Sequence, residues 1–275
     1  MATIAGTPIA ESKPSSDQLT GLPRAHAIDR WIFVFMAAFF IAIVLAGFIP
    51  DSLDKIEAVR TGARPPFPLV LHFHAVLMGS FLLLLLAQTT LAATGRIHLH
   101  RQLGLAAIVI VPALVLVGFI LVPTIYHANW SAAQGAAGEA RQQLEQILLI
   151  RDNIMLLQLR IAILFPLFIF IGLRARTHDA GLHKRMMILA TAMALPAGID
   201  RIPWLPHTMP FSPLSPDLYT LLAISPMVIW DIVRNRRVHR AYLIWLALFI
   251  PFAIAVHALW DSAWWHSVAP RLMGL

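Results

Sequence analysis

PLVLHFHAVLMGSFLLLLLAQTTLAA, residues 68–93, decides the fold. A helix needs roughly 20 apolar residues to cross a hydrocarbon core of about 30 Å, and this stretch exceeds that without one Asp, Glu, Lys or Arg. Its polar residues do not alternate with apolar ones, as the strands of a membrane barrel require, so the reading is helix. Six further runs are comparable, at 31–50, 103–125, 154–173, 185–204, 218–233 and 241–260. Over 275 residues the chain is 59% hydrophobic and 13% charged, with a mean hydropathy of +0.73, far from the composition of a water-soluble domain. The expected fold class is therefore all-α, a polytopic transmembrane bundle of about seven spans over residues 31–262, with the lipid bilayer as its principal partner. Residues 1–30 read as a polar, disordered cytoplasmic tail and 263–275 as a short outside tail. No cleavable signal peptide is expected, because the first thirty residues lack a short apolar core.

The distribution of charge explains the formal +7. With the N-terminus inside, thirteen of the 21 Lys and Arg residues fall on inner segments: Lys13, Arg24, Arg30, Arg96, Arg101, Arg174, Arg176, Lys184, Arg185, Arg234, Arg236, Arg237 and Arg240. Six fall outside, and Arg160 and Arg201 lie within runs. Basic residues are retained on the cytoplasmic face during insertion, so the balance predicts N-terminus in and C-terminus out, in a bacterial inner membrane. The excess of positive charge is topological, and nucleic acid is not an expected partner. Glu139 to Asp152 reads as a helix continuing into the fourth span. Pro112, Pro166, Pro196, Pro226 and Pro251 fall inside runs, where each removes a backbone donor and favours a kink.

Zero cysteines exclude disulfides, thiolate metal sites, iron–sulfur clusters and covalent haem attachment. Any metal must bind His, carboxylate, Met or backbone oxygen. The twelve histidines cluster at run ends in two layers. The outer layer holds His72 and His74, Asp200 with Arg201, and His257 with Asp261. The inner layer holds His98, His100, His178, His183 and His239. His72 and His74 point about 200° apart on a helix, so only one can face a given site. His100 shares its face with Gly104 and Ala107, and His183 with Met187, Ala190 and Ala194. Two imidazoles separated by small residues are the arrangement that holds a b-type haem. His257 and Asp261, four apart, are spaced for a carboxylate to orient a ring. Arg160 is expected to snorkel outward, and Asp200 and Arg201 to find partners on neighbouring spans. Phosphate-binding glycine loops, HExxH helices, Gly-x-Ser-x-Gly elbows and clustered di-iron carboxylates are absent, which argues against hydrolase and nucleotidase chemistry.

LHFHAVLMGSFLLLLLAQ at 71–88, ATGRIHLHRQLG at 93–104, HKRMMILATAMA at 183–194 and WDIVRNRRVHRAYL at 230–243 together resemble a group of bacterial multi-pass membrane proteins, similar to those called domain of unknown function 2306. The resemblance covers the second to seventh runs and implies no reaction. It singles out His72, His74, Gln88, Gly95, Arg96, His100, Arg101, Gly104, His183, Arg185, Met187, Arg201, Asp231 and His239. From these residues, His100, His183 and His239 are the expected metal ligands. With Asp231, and with His72 and His74 in the outer layer, they make up the expected cofactor-binding set, for haem b or a divalent metal in electron transfer. The competing expectations are a cofactor-free or proton-coupled carrier or sensor built on Arg201 and Asp200, and a structural membrane protein. Gln88 is a further polar residue within a span.

Overall fold

A computed structural model describes residues 27–275, and the part of the expected tail before residue 27 lies outside the described residues. The helices are α1 (Ala27–Arg60), α2 (Leu69–Ala93), α3 (Ile97–Gly104), α4 (Ala106–Gly135), α5 (Gly138–Ala175), α6 (Ala180–Ala192), α7 (Leu195–Ile199), α8 (Leu214–Asn235), α9 (Arg240–Leu259) and α10 (Ala263–Leu272). No strand occurs among the described residues. Taking α3 and α4 together, six of these segments are long and apolar enough to cross a membrane. No more than 44% of any such apolar stretch is buried against protein. Phe73, Val76, Leu83, Val109 and Ile254 face outward, each more than half exposed. An apolar surface of that extent is stable only in lipid.

The fifth apolar run is built differently. Instead of one span over 185–204, it forms α6 and α7, broken where Met193 N bonds Ala190 O and Ala194 N bonds Thr191 O in tight turns. Pro196 at the start of α7 has no N–H to offer the helix before it. The helix α6 is the post around which the bundle packs, touching α1, α5, α8 and α9. Met186, Ile188, Leu189, Ala190 and Ala192 on it are fully buried. Trp245 of α9, also fully buried, donates its indole N–H to Leu189 O at 3.1 Å and stacks on Phe249. A segment enclosed by protein on all sides can end early without exposing its backbone to hydrocarbon.

The helix expected over 139–152 does continue into the fourth run, as α5. The expected outside tail contains a helix, α10, docked on α5: Trp265 is buried and donates to Asp152 O at 2.7 Å, and Ser262 caps the first turn. Polar contacts gather at two ends. At one end, Asp29 of α1 accepts from Trp230 and Arg234 of α8, Asp179 pairs with Arg240, and the α2–α3 and α5–α6 connections meet. At the other, Arg201 reaches Asp51 and His127 meets Met273 O. The first end carries the eleven members of the inner basic set from Arg30 onward, Lys13 and Arg24 lying outside the described residues.

The α1–α7 crossing depends on two glycines. A Cβ on Gly47 would fall 1.9 Å from Gly198 O, and one on Gly198 would fall 3.2 Å from Val44 Cα. Backbone atoms cannot yield as a side-chain tip can, so Gly47→Ala should force α1 off α7. The expected cost is about 1–3 kcal/mol, read as earlier unfolding in a mixed-micelle denaturation series; an unchanged curve would mean the helices do not cross here.

Candidate functional site

At the basic end two expected ligands come together. His100 is on α3 and His183 in the first turn of α6, with ring centroids 6.3 Å apart and planes at 85°. That first turn is fixed by Asp179, whose side chain caps the Leu182 amide at 2.8 Å and pairs with Arg240. Burial alone would raise the Asp179 carboxyl, but the Leu182 amide and the Arg240 guanidinium hold it below the usual carboxylate range. His183 Nδ1 lies 2.8 Å from Gly172 O, on the last turn of α5, where the Arg176 amide has turned to Leu173 O. His100 Nδ1 lies 3.2 Å from Gln88 O. A carbonyl only accepts, so each Nδ1 carries the proton and each Nε2 keeps its lone pair for a ligand. Metal-binding histidines have this arrangement, with the second ring nitrogen oriented by a backbone oxygen.

The spacing also bears on metal geometry. Two imidazoles bound at about 2.0–2.1 Å per nitrogen leave ring centres roughly 5 Å apart at a tetrahedral angle and roughly 6–6.5 Å apart when opposed. The observed 6.3 Å is within reach of two rings that would share one ion. The small residues expected to open a slot serve packing instead. Ala107 and Ala190 are buried, Gly104 faces the Gln88 amide, and Gly172 sits against Met186 and the Met187 sulfur. Beside His100, the Gln88 carboxamide has both its oxygen and its nitrogen buried without a hydrogen-bond partner. Such a group is costly unless something polar occupies the space beside it.

The other two expected members do not join. Asp231 is fully buried and committed to Arg185, which donates Nε at 2.6 Å and Nη2 at 2.8 Å, and it also accepts from Tyr242 and Asn235. An acidic residue so surrounded has no free oxygen to ligate, and its role is to clamp α6, α8 and the start of α9. His239 caps α9, its Nδ1 accepting from the Ala241 amide, with its ring against Tyr242. Among the described residues no three His, Asp or Glu side chains are grouped to hold a metal ion. His72 is exposed, edge-on to Phe67, while His74 keeps a buried Nδ1 without a partner. Neither belongs to the His100–His183 pair.

The opposite end of the bundle differs from expectation in two ways. Arg160 does not snorkel: its side chain is fully buried and makes a two-pronged pair with Asp217 of α8, at 2.5 and 3.0 Å. His257 and Asp261 do not pair, because α9 ends between them and Asp261 turns into the left-handed region at φ 57°. His257 instead meets Asp217 at 3.3 Å, and Asp261 meets His266, whose other nitrogen faces Asp152 at 3.0 Å. Tyr126 donates to that Asp152 at 2.7 Å. Arg201 finds its partner on a neighbouring helix as expected, Asp51 at 3.3 Å, and lies over the Phe48 ring. Asp200 is half-buried beside it. Asp217, missed in the sequence, had one signal: it is a carboxylate directly before the apolar run 218–233, and Arg160, 57 residues earlier, was one of two arginines within runs that needed a counter-charge.

No known protein family, curated protein or solved structure matches the chain. The side chains therefore carry the functional reading.

Proposed function

We propose that the chain is a seven-pass protein of a bacterial cytoplasmic membrane, N-terminus inside, that holds a redox metal between His100 and His183 at the inner edge of the bilayer for electron transfer. Of the two candidates, a single divalent transition ion fits better than the iron of haem b, because the small residues beside the rings are taken up by packing. One observation carries the reading: two imidazoles from different helices, 6.3 Å apart, each with Nδ1 engaged by a backbone carbonyl and Nε2 left to bind. The unpartnered Gln88 carboxamide near His100 supports it, and the asymmetry of basic residues supports a cytoplasmic position for the His100–His183 end. The fifth pass is the broken α6–α7 segment, sheltered from lipid by its neighbours. Bis-imidazole ligation stabilises both oxidation states of a one-electron metal, and this chain's part is to orient the rings and exclude competing ligands.

The test is purification in mild detergent, followed by metal analysis and an absorption spectrum. About one iron with a Soret band identifies haem b, and about one copper, iron or other redox-active ion without that band identifies a bare metal; zinc alone would remove the electron-transfer reading. Either must disappear in both His100→Ala and His183→Ala. A wild-type chain that stays colourless and metal-free after reconstitution with haem and with divalent ions removes the proposal.

A further inference from the structure

We infer that Arg160, Asp217 and His257 form a proton-exchange site at the end of the bundle opposite His100 and His183, with His257 as the group that passes protons to and from Asp217. The inference is independent of the metal reading. An arginine with its side chain wholly inside a membrane bundle is costly and needs a counter-charge, which Asp217 supplies through both guanidinium nitrogens. A pair of that kind alone is a structural clamp between α5 and α8. What makes it a site is the third member. His257 of α9 places Nε2 3.3 Å from Asp217 Oδ2, the same oxygen that accepts from Arg160 Nη1. Its side chain is 37% exposed, against 8% for Asp217 and 0% for Arg160. One ring, two residues before the end of α9, thus joins the outside of the bundle to the buried carboxylate, as a proton shuttle must.

The step is a single proton transfer. The proton leaves His257 Nε2 and bonds to Asp217 Oδ2; the ring becomes neutral, the carboxylate becomes a carboxylic acid, and the ring regains a proton from the surface. Arg160 keeps its charge throughout, held against the Phe249 ring at 4.9 Å, and its Nε is buried without a partner. The neighbouring titratable groups are engaged elsewhere. Asp261, past the end of α9, faces His266, and Asp152, two turns before Arg160 on α5, faces Tyr126 and His266.

Infrared difference spectroscopy of the purified chain in lipid nanodiscs, after a downward pH jump, reads the step directly. Wild type should gain a reversible protonated-carboxyl band that is missing in Asp217→Asn, where the amide still accepts from Arg160. In His257→Gln the band should form about a hundredfold more slowly, the loss expected when a positioned proton-transfer group is removed. Should Asp217→Asn fail to insert, His257→Gln decides alone, because it leaves the Arg160–Asp217 pair intact. No band in wild type, a band surviving in Asp217→Asn, or equal rates in wild type and His257→Gln each overturn the inference.

Discussion

Replacing Arg185 by Ala is expected to lower the unfolding free energy of the solubilised chain by about 3–5 kcal/mol, the usual cost of stripping one partner from a buried ion pair. The reason is what remains. Asp231 has no exposed surface and would lose two donated hydrogen bonds at 2.6 and 2.8 Å, keeping only those from Tyr242 and Asn235. Gly181 O would also lose the Arg185 Nη1 donor at 2.8 Å. Because the penalty comes from the abandoned charge, Arg185→Met with Asp231→Leu should recover much of it. Denaturation in mixed micelles of wild type, Arg185→Met, Asp231→Leu and the double variant gives the cycle. A double variant as unstable as Arg185→Ala would show that the pair contributes more than mutual neutralisation.

The second large effect concerns the ring pair. Loss of a residue that merely orients a ligand typically weakens metal binding by 10–100-fold, so loss of a ligand itself should exceed about a hundredfold. His183→Ala is expected to reach that level in a competitive chelator or haem-transfer titration, and His100→Ala likewise. Since both rings serve one centre, the double variant should bind no more weakly than either single, a failure of additivity that two independent sites would not give. His239→Ala should leave affinity within a factor of a few, because that ring is taken up in capping α9 and packing on Tyr242.

The helical, membrane-spanning class was legible because hydrocarbon imposes one rule, that a backbone must satisfy itself within each span, and long charge-free runs such as 68–93 obey it visibly. The sorting of residues into two ends was legible from the arginines, and His100 and His183 share an end as that sorting implied. The break between α6 and α7 was not. Pro196 marked it, but Pro112, Pro166, Pro226 and Pro251 lie inside unbroken helices, and only burial on every side distinguishes the one that ends a helix. Pairing of charges was harder still. Asp231 resembled a ligand in the sequence because nothing local reveals that Arg185, 46 residues earlier, saturates it. Arg160 looked free to reach water because its partner lies 57 residues on, across the bundle. His257 and Asp261 had helical spacing, but the helix stops at Leu259 and the spacing no longer applies.

X-ray absorption at the edge of the bound metal tests the central claim most directly, because it counts nitrogen rings around the atom. Two imidazoles in wild type, falling to one in His100→Ala and to one in His183→Ala, is the expected result. A metal whose imidazole count is unchanged in either variant, or that has none to begin with, would contradict a shared centre between these two histidines.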